Sequence, residues 1–172
     1  IPEEQCDLAS QIIDRCRKDI QNEYRVVDKD ICIALNKKSS YKGRVQSFAT
    51  AEKIIYLLFN SPYGVQSMSA DLPGLVESSL NLGVVRTNND EITLTWAVRS
   101  SVKSRKWLIN DQLLYMTEML GGDYTWRGDY PEWAYRPESP LRTLAVNTYE
   151  KMFGKKPVVS TIHAGLECGL FS

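Results

Sequence analysis

The sequence contains a single histidine, His163, among its 172 residues. A zinc centre normally takes about three or four protein ligands, and histidine is prominent among them. The four cysteines do not fill this gap, because none of them forms a C-x-x-C pair of the kind found in zinc fingers and redox motifs. We therefore expect no catalytic metal site and no cofactor in this chain.

Net charge and long apolar runs are also absent. Lys+Arg and Asp+Glu both number 21, so the chain gives no electrostatic reason to expect a nucleic-acid or anionic-membrane partner. No apolar run approaches the roughly 18 residues of a membrane span, and no signal-peptide pattern is present. Cys6, Cys16 and Cys32 lie among apolar residues and are predicted to be buried free thiols. This pattern indicates a cytoplasmic location.

Neither end of the sequence looks like a natural terminus. The chain opens at Ile1 without an initiator methionine, and it closes inside the apolar stretch of residues 169–172. Natural termini are usually polar and frayed. We therefore expect the chain to be a piece of a longer protein.

Hydrophobic periodicity divides the chain into alternating helices and strands. It predicts helices over about residues 2–20, 50–59, 104–120 and 140–153, and strands over about 31–35, 79–84, 92–98, 124–126 and 158–162. The helices are expected to bury Ile54, Ile55, Leu58 and Phe59, then Ile109, Leu113, Met116 and Leu120, then Leu141, Leu144, Ala145 and Thr148. The fold class that follows is α+β: a two-layer α/β sandwich of the ferredoxin-like kind, with a mainly antiparallel sheet and helices on one face.

The clearest local signal is a β-hairpin. Leu80, Leu82 and Val84 alternate with Ser79, Asn81 and Gly83, and a second alternating run follows an Asn-Asn-Asp turn. A loop of residues 88–90 pairs Leu82 with Trp96 and places Ser79 opposite Arg99. Either of the two registers compatible with the pattern gives one apolar and one polar face.

Arg99 ends the second strand of this hairpin on the polar face. A guanidinium there can bind a carboxylate through two hydrogen bonds, or it can be an ordinary solvated side chain paired with Glu77 if the register slips by two residues. Ser79, Asn81, Thr93 and Thr95 share the polar face and can line a cleft or simply face water.

The segment of residues 163–169 follows a predicted strand and contains two glycines, which allow a ligand or another backbone to approach closely. His163 and Glu167 would share a helix face if the segment coils, but two ligands are too few for zinc. No G-x-S-x-G elbow accompanies the histidine. His163 is therefore either a structural group or part of a pocket.

Several stretches together resemble the aminoacyl-histidine dipeptidases, which are carnosinase-like zinc exopeptidases. The matching stretches are DLPGLVESSLNLG at 71–83, VRS at 98–100, YP at 130–131 with Trp133, SPL at 139–141 and, most specifically, IHAGLECGLF at 162–171. The resemblance covers residue 45 to the end well, and the first forty residues only in outline.

The resemblance implies a two-domain parent whose catalytic domain binds two zinc ions and whose inserted lid domain supports a homodimer. Residues 1–130 then form most of the lid, incomplete at its N-terminal end, and residues 131–172 begin the C-terminal part of the catalytic domain. The proline- and aromatic-rich composition of residues 130–137 independently suggests a boundary there. By resemblance, the family's zinc ligands and general base lie outside this chain.

The resemblance also implies substrate-binding roles. Arg99 matches a lid arginine that binds substrate, and residues 163–169 match a loop that lines the substrate pocket, with Gly165 a family glycine. The substrate-binding candidates are Arg99, His163, Gly165, Glu167 and Asn81, and none is expected to be catalytic.

The expected function is therefore that of a fragment of a zinc dipeptidase that hydrolyses Xaa-His dipeptides. The alternative is a free-standing ferredoxin-like module for dimerisation or small-ligand binding, without catalysis.

Overall fold

The structure is a computed structural model that describes residues 2–36, 43–163 and 170–171. The chain divides into two compact units, Ile1–Arg44 and Val45–Ser172. The first unit is built around helix α1, Cys6–Glu23, which follows a short 3-10 turn. Acidic side chains occupy that first turn, where they favourably face the positive end of the helix dipole. The predicted first helix is confirmed.

The predicted strand over residues 31–35 does not form. Arg17 of α1 donates from Nε to the carbonyl oxygen of Ile33 at 2.6 Å, and Gln21 donates its side-chain amide to the carbonyl oxygen of Ile31 at 3.3 Å. Carbonyl groups that a neighbouring strand would use are therefore bonded to side chains of α1. Cys16 and Cys32 are exposed and Cys6 is partly exposed, so the prediction that these thiols are buried is wrong. Among the described residues of this unit, no second layer covers α1.

The second unit contains an antiparallel sheet with the strand order β1-β2-β3. The strands are β1, Gly64–Met68, β2, Val76–Thr87, and β3, Ile92–Ser100. The predicted hairpin of β2 and β3 is confirmed. Strand β1 was not predicted, because it is short and two register irregularities interrupt its pairing with β2, so it has no regular alternation.

The hairpin register agrees with the prediction where the candidate site lies. Leu82 pairs with Trp96, and Ser79 pairs with Arg99. The alternative register, with Glu77 opposite Arg99, is not adopted. Glu77 instead accepts a hydrogen bond from the hydroxyl of Ser67 on β1 at 3.0 Å.

The observed pairing differs from the predicted hairpin in two places, the loop and Gly83, and the two differences offset each other. Thr87 pairs with Ile92, so the connecting loop contains residues 88–91 and is one residue longer than predicted. A one-residue irregularity at Gly83, between the paired positions on either side of it, restores the predicted pairing further along.

The irregularity at Gly83 exchanges the two faces of β2 towards the turn. Val84 pairs with Thr95, and Val85 pairs with Leu94. Val84 was predicted to lie on the apolar face, but it lies on the polar face because the extra residue shifts the alternation by one.

Helix α3, Lys103–Met119, covers the apolar face of the sheet. Leu80, Ile109 and Leu113 form the buried cluster, with exposures of 2%, 3% and 1%. Partly buried Trp96, Val98 and Tyr124 pack against this cluster. An antiparallel sheet with a helical layer on its apolar face confirms the α+β fold class.

Helix α2, Phe48–Asn60, is tied to the end of α3, because Lys53 donates from Nζ to the carbonyl oxygen of Leu120 at 2.5 Å. Its buried residue is Leu57. The predicted buried residues Ile55, Leu58 and Phe59 are exposed. The helix therefore buries a different face from the predicted one. Apolar residues of α2 lie on more than one side of the helix, so periodicity alone does not show which side is buried.

The predicted strand around Tyr124 and Trp126 is an irregular segment held by side chains of α3. The hydroxyl of Tyr124 donates to Oδ1 of Asn110 at 2.7 Å. The ring of Trp126 meets that of Trp107 edge to face, with centroids 5.4 Å apart. Burial raises the pKa of Tyr124, and the nearby carboxylate of Asp111 adds to this effect.

Lys106 holds the residues that follow. Its Nζ lies 2.6 Å from Oδ1 of Asp129, 2.5 Å from Oε1 of Glu132 and 2.9 Å from the carbonyl oxygen of Tyr130. Burial alone would lower the pKa of Lys106, but hydrogen bonds and charge from the two carboxylates outweigh it, so the pKa is raised. Burial alone would raise the pKa of Glu132, but the bond to Lys106 outweighs it and the pKa is lowered.

We expect the Lys106–Glu132 ion pair to make stability depend on pH. A carboxyl group whose folded pKa is lowered stabilises the fold above its unfolded pKa, about 4.3 for glutamate, and this contribution is lost as the pH falls through the folded value. Lys106→Met should therefore lower Tm by about 5 °C at neutral pH. Thermal unfolding followed by circular dichroism should show this difference shrinking below about pH 4. A difference that persists unchanged in acid would contradict the ion-pair explanation.

Helix α4, Pro140–Phe153, has the predicted bounds. Ser139 caps its start by accepting a hydrogen bond from the backbone of Arg142, and Gly154, with φ of 67°, ends it in the left-handed conformation. The predicted buried residues Leu141, Leu144, Ala145 and Thr148 are exposed, so that prediction is wrong for the part of the chain described here. The predicted strand over residues 158–162 is irregular.

Candidate functional site

The candidate site lies on the polar face of the hairpin, opposite the face that α3 covers. Burial along β3 alternates strictly, and Arg99 falls on an exposed position between half-buried Val98 and Ser100. Ser79 of β2 lies directly across from Arg99. The strand alternation that buries Val98 against α3 therefore directs Arg99 to the opposite face.

His163 reaches this face from a distant part of the chain. Its Nε2 lies 2.8 Å from the hydroxyl oxygen of Ser79, and its carbonyl oxygen accepts a bond from Nη1 of Arg99 at 3.5 Å. The structure thus brings together two residues that the sequence singled out, Arg99 and His163, although they are 64 positions apart. Ser79 joins them as the third member of the site.

The contacts leave Arg99 capable of binding an anion. Among the described residues, the side chain of Arg99 makes one hydrogen bond, the long bond to His163, and a guanidinium has about five N–H donors in a planar fork. The side chain is exposed, and the carboxylate proposed as its alternative partner, Glu77, bonds Ser67 instead. A ligand carboxylate could accept two parallel hydrogen bonds from this guanidinium.

Asn81 lies on the same face, two residues before the irregularity at Gly83 in β2. It pairs with Ala97 of β3, and its side chain is exposed. The side chain of Asn81 is therefore available to a ligand, and within the described residues it does not hydrogen-bond to Ser79, Arg99 or His163. The two other candidates, Gly165 and Glu167, lie outside the described residues.

A metal centre does not fit the donor set of this site. Across residues 2–36, 43–163 and 170–171, no group of three or more His, Cys, Asp or Glu side chains is placed to hold a metal ion. The site itself offers a guanidinium, a hydroxyl and one imidazole, of which only the imidazole is a usual zinc ligand. The chemistry of these groups suits hydrogen bonding to an anionic or polar substrate.

Sequence reasoning missed Ser79 as a member of the site. It placed Ser79 on the polar face but did not connect it with His163, since hydrogen bonds between distant segments leave no local pattern. The predicted register could have identified Ser79 as a site residue, because it places Ser79 opposite Arg99. A group that contacts Arg99 from elsewhere in the chain therefore lies close to Ser79 as well.

The chain is dipeptidase-like in both sequence and fold. It is 30% identical over 165 residues to the cytosol non-specific dipeptidase of Escherichia coli strain K12, a match that covers 96% of this chain and 34% of that protein. Its fold matches the crystal structure of aminoacylhistidine dipeptidase from Vibrio alginolyticus with a TM-score of 0.86 and 30% identity, over 99% of this chain and 35% of the other. No family model matches the chain.

The predicted resemblance to the aminoacyl-histidine dipeptidases is therefore confirmed. The chain spans about a third of the length of these relatives. No helix within the described ranges is long and apolar enough to cross a membrane.

Proposed function

We propose that this chain is part of a longer, cytoplasmic, zinc-dependent dipeptidase, in which it supplies lid and substrate-binding residues but no metal ligands. The observation that carries the proposal is the convergence of Arg99, Ser79 and His163 on one face of the hairpin. The similarity to two dipeptidases supports it. In the parent enzyme, residues 1–130 form most of the lid, residues 131–172 begin the C-terminal part of the catalytic domain, and two protomers associate through their lids.

Arg99 would bind the free carboxylate of the dipeptide through its planar fork of donors. The hydrogen bond between Ser79 and Nε2 of His163 would hold the imidazole in one orientation, so that Nδ1 is left for the substrate. Asn81 would contribute a hydrogen bond at the edge of the same face. These contacts fix the substrate in position, and such positioning supplies a large part of an enzyme's rate enhancement.

Zinc ions bound by the remainder of the parent would polarise the scissile carbonyl and activate water. The described part of this chain has no donor set for them. The substrates proposed for the parent are dipeptides that include Xaa-His, in line with the activity named for the relative from Vibrio alginolyticus.

The direct test compares this 172-residue chain with the full-length protein from the same source. We expect the full-length protein to release histidine from an Xaa-His dipeptide in a zinc-dependent manner, and the chain alone to be inactive and to bind no stoichiometric zinc. Activity is measured by amino-acid release, and zinc content by elemental analysis. Turnover by the chain alone would contradict the proposal.

The size of the native polypeptide provides the control. An immunoblot of source cells with an antibody against this chain should detect a band far above 19.6 kDa. A native band at 19.6 kDa would instead favour the alternative function, a free-standing ferredoxin-like module that dimerises or binds a small ligand without catalysis.

The 2.8 Å contact between Ser79 and His163 favours one second candidate, a serine hydrolase. A hydroxyl hydrogen-bonded to an imidazole is the core of such sites, but a third group normally orients the imidazole. No such group contacts His163 among the described residues. A fluorophosphonate probe separates the candidates: labelling that Ser79→Ala abolishes would favour the hydrolase, and the dipeptidase proposal predicts no labelling.

A further inference from the structure

Lys106 is enclosed by acceptors from one short stretch of chain. An ammonium group has three N–H donors, and three oxygen atoms lie within 2.9 Å of this one. They belong to Asp129, Tyr130 and Glu132, which fall within four consecutive residues. The number of acceptors matches the number of donors, so this stretch is wrapped around the ammonium group.

The burial of the ion pair makes the arrangement hard to release. The side chain of Lys106 is 13% exposed and that of Glu132 is 15% exposed, whereas that of Asp129 is 52% exposed. Charges with so little exposure are screened weakly by water and salt, so they attract each other more strongly than an exposed pair would. Glu132 is therefore the principal partner of Lys106, and Asp129 and the Tyr130 carbonyl complete the shell.

The same helix holds the preceding residues. Oδ1 of Asn110 accepts a hydrogen bond from the hydroxyl of Tyr124, and Trp107 packs edge to face against Trp126. Side chains of α3 thus fix residues 124–132 along one side of the helix. The segment makes no regular backbone pairing, so its path is set by these side chains.

This anchored segment overlaps the start of residues 130–137, where the proposed lid joins the proposed catalytic domain. We propose that Lys106 is a positioning residue: through Asp129, Tyr130 and Glu132 it fixes the direction in which the chain leaves the lid. His163 follows later on that outgoing chain and must meet Arg99, so the anchor also supports the substrate site. The inference rests on the proposed function for its catalytic consequence, but not for the anchoring itself.

The anchoring is tested on the 172-residue chain by limited proteolysis with chymotrypsin. Lys106→Met should speed cleavage after Trp133 and Tyr135 by about tenfold, because cleavage requires the segment to leave the helix. Lys103→Met, at an exposed lysine on the same helix, is the matched control and should cleave like the wild type. Unfolding curves of each variant separate local release from global destabilisation.

A double-mutant cycle with Glu132 provides a second test of the anchoring if Lys106→Met folds poorly. Glu132→Gln should also raise the cleavage rate. Adding Glu132→Gln to Lys106→Met should then raise the cleavage rate by a smaller factor than Glu132→Gln does in the wild type, because the ion pair is already lost. Independent, additive effects, or an unchanged cleavage rate in Lys106→Met, would overturn the anchoring.

The catalytic consequence is tested in the full-length protein. Lys106→Met should raise KM for an Xaa-His dipeptide several-fold, since a misplaced lid weakens substrate positioning. A merely structural loss would reduce the amount of active enzyme and leave KM unchanged. If the wild-type protein has no dipeptidase activity, the proposed function fails while the proteolysis result still stands. If it is active and KM does not change, the positioning role fails.

Discussion

Replacing Arg99 with alanine in the full-length protein is expected to lower kcat/KM for dipeptides about 100-fold, because a charge-assisted, bidentate contact with the substrate carboxylate is lost. Arg99 is exposed, and its hydrogen bond within the described chain is a long one, so the substitution removes little from the fold. Stability should change by less than about 0.5 kcal/mol. Steady-state kinetics together with an unfolding curve measure both quantities.

Two further variants show whether the effect depends on guanidinium geometry. Arg99→Lys keeps the charge but not the planar fork, and should recover only part of the activity. Arg86→Ala removes an exposed arginine from the turn end of the same hairpin face, where Arg86 pairs with Thr93, and should leave kcat/KM within about twofold of wild type. Equal losses in Arg99→Ala and Arg86→Ala would point to general electrostatic attraction and would contradict a specific carboxylate contact.

Replacing Leu113 with alanine is expected to cost about 3 kcal/mol of unfolding free energy. Leu113 is 1% exposed and lies in the cluster with Leu80 and Ile109, between α3 and the sheet. The change removes buried apolar surface and leaves a cavity that close-packed neighbours fill only in part. Urea denaturation of the 172-residue chain, with the slope compared between variants, measures the loss.

Leu108→Ala is the matched control, since Leu108 belongs to the same helix but is 50% exposed. Its cost should stay below about 1 kcal/mol. A similar cost for both leucines would mean that α3 does not pack on the sheet in the described orientation. A small cost for Leu113→Ala alone would mean that the cluster is not the main source of stability in this unit.

The candidate site was only partly predictable from the sequence. Arg99 could be placed, because the alternation along β3 fixes the face of every residue in it. The pairing of Ser79 with Arg99 could also be predicted, since burial of one hairpin face restricts the register. The contact of His163 with this pair could not, because it joins segments 84 positions apart through side-chain atoms.

Elements with a strong local signal were predicted well. α1, α3 and α4 have clear end signals or periodic apolar residues, and the β2–β3 hairpin has strict alternation. Short apolar runs were less informative. Residues 31–35 and Tyr124 to Trp126 alternate like strands, but hydrogen bonds and ring contacts to neighbouring helices replace the β-ladder.

The sequence by itself determined the α+β class, the existence and approximate extent of the longer helices, and the polar face that carries Arg99. These features follow from local periodicity and from end signals, which act over a few residues. The tertiary structure decided which side of α2 is buried, how Gly83 restores the register and which residues enclose Lys106. Those outcomes depend on side chains from distant segments meeting in three dimensions, and a one-dimensional pattern does not contain that information.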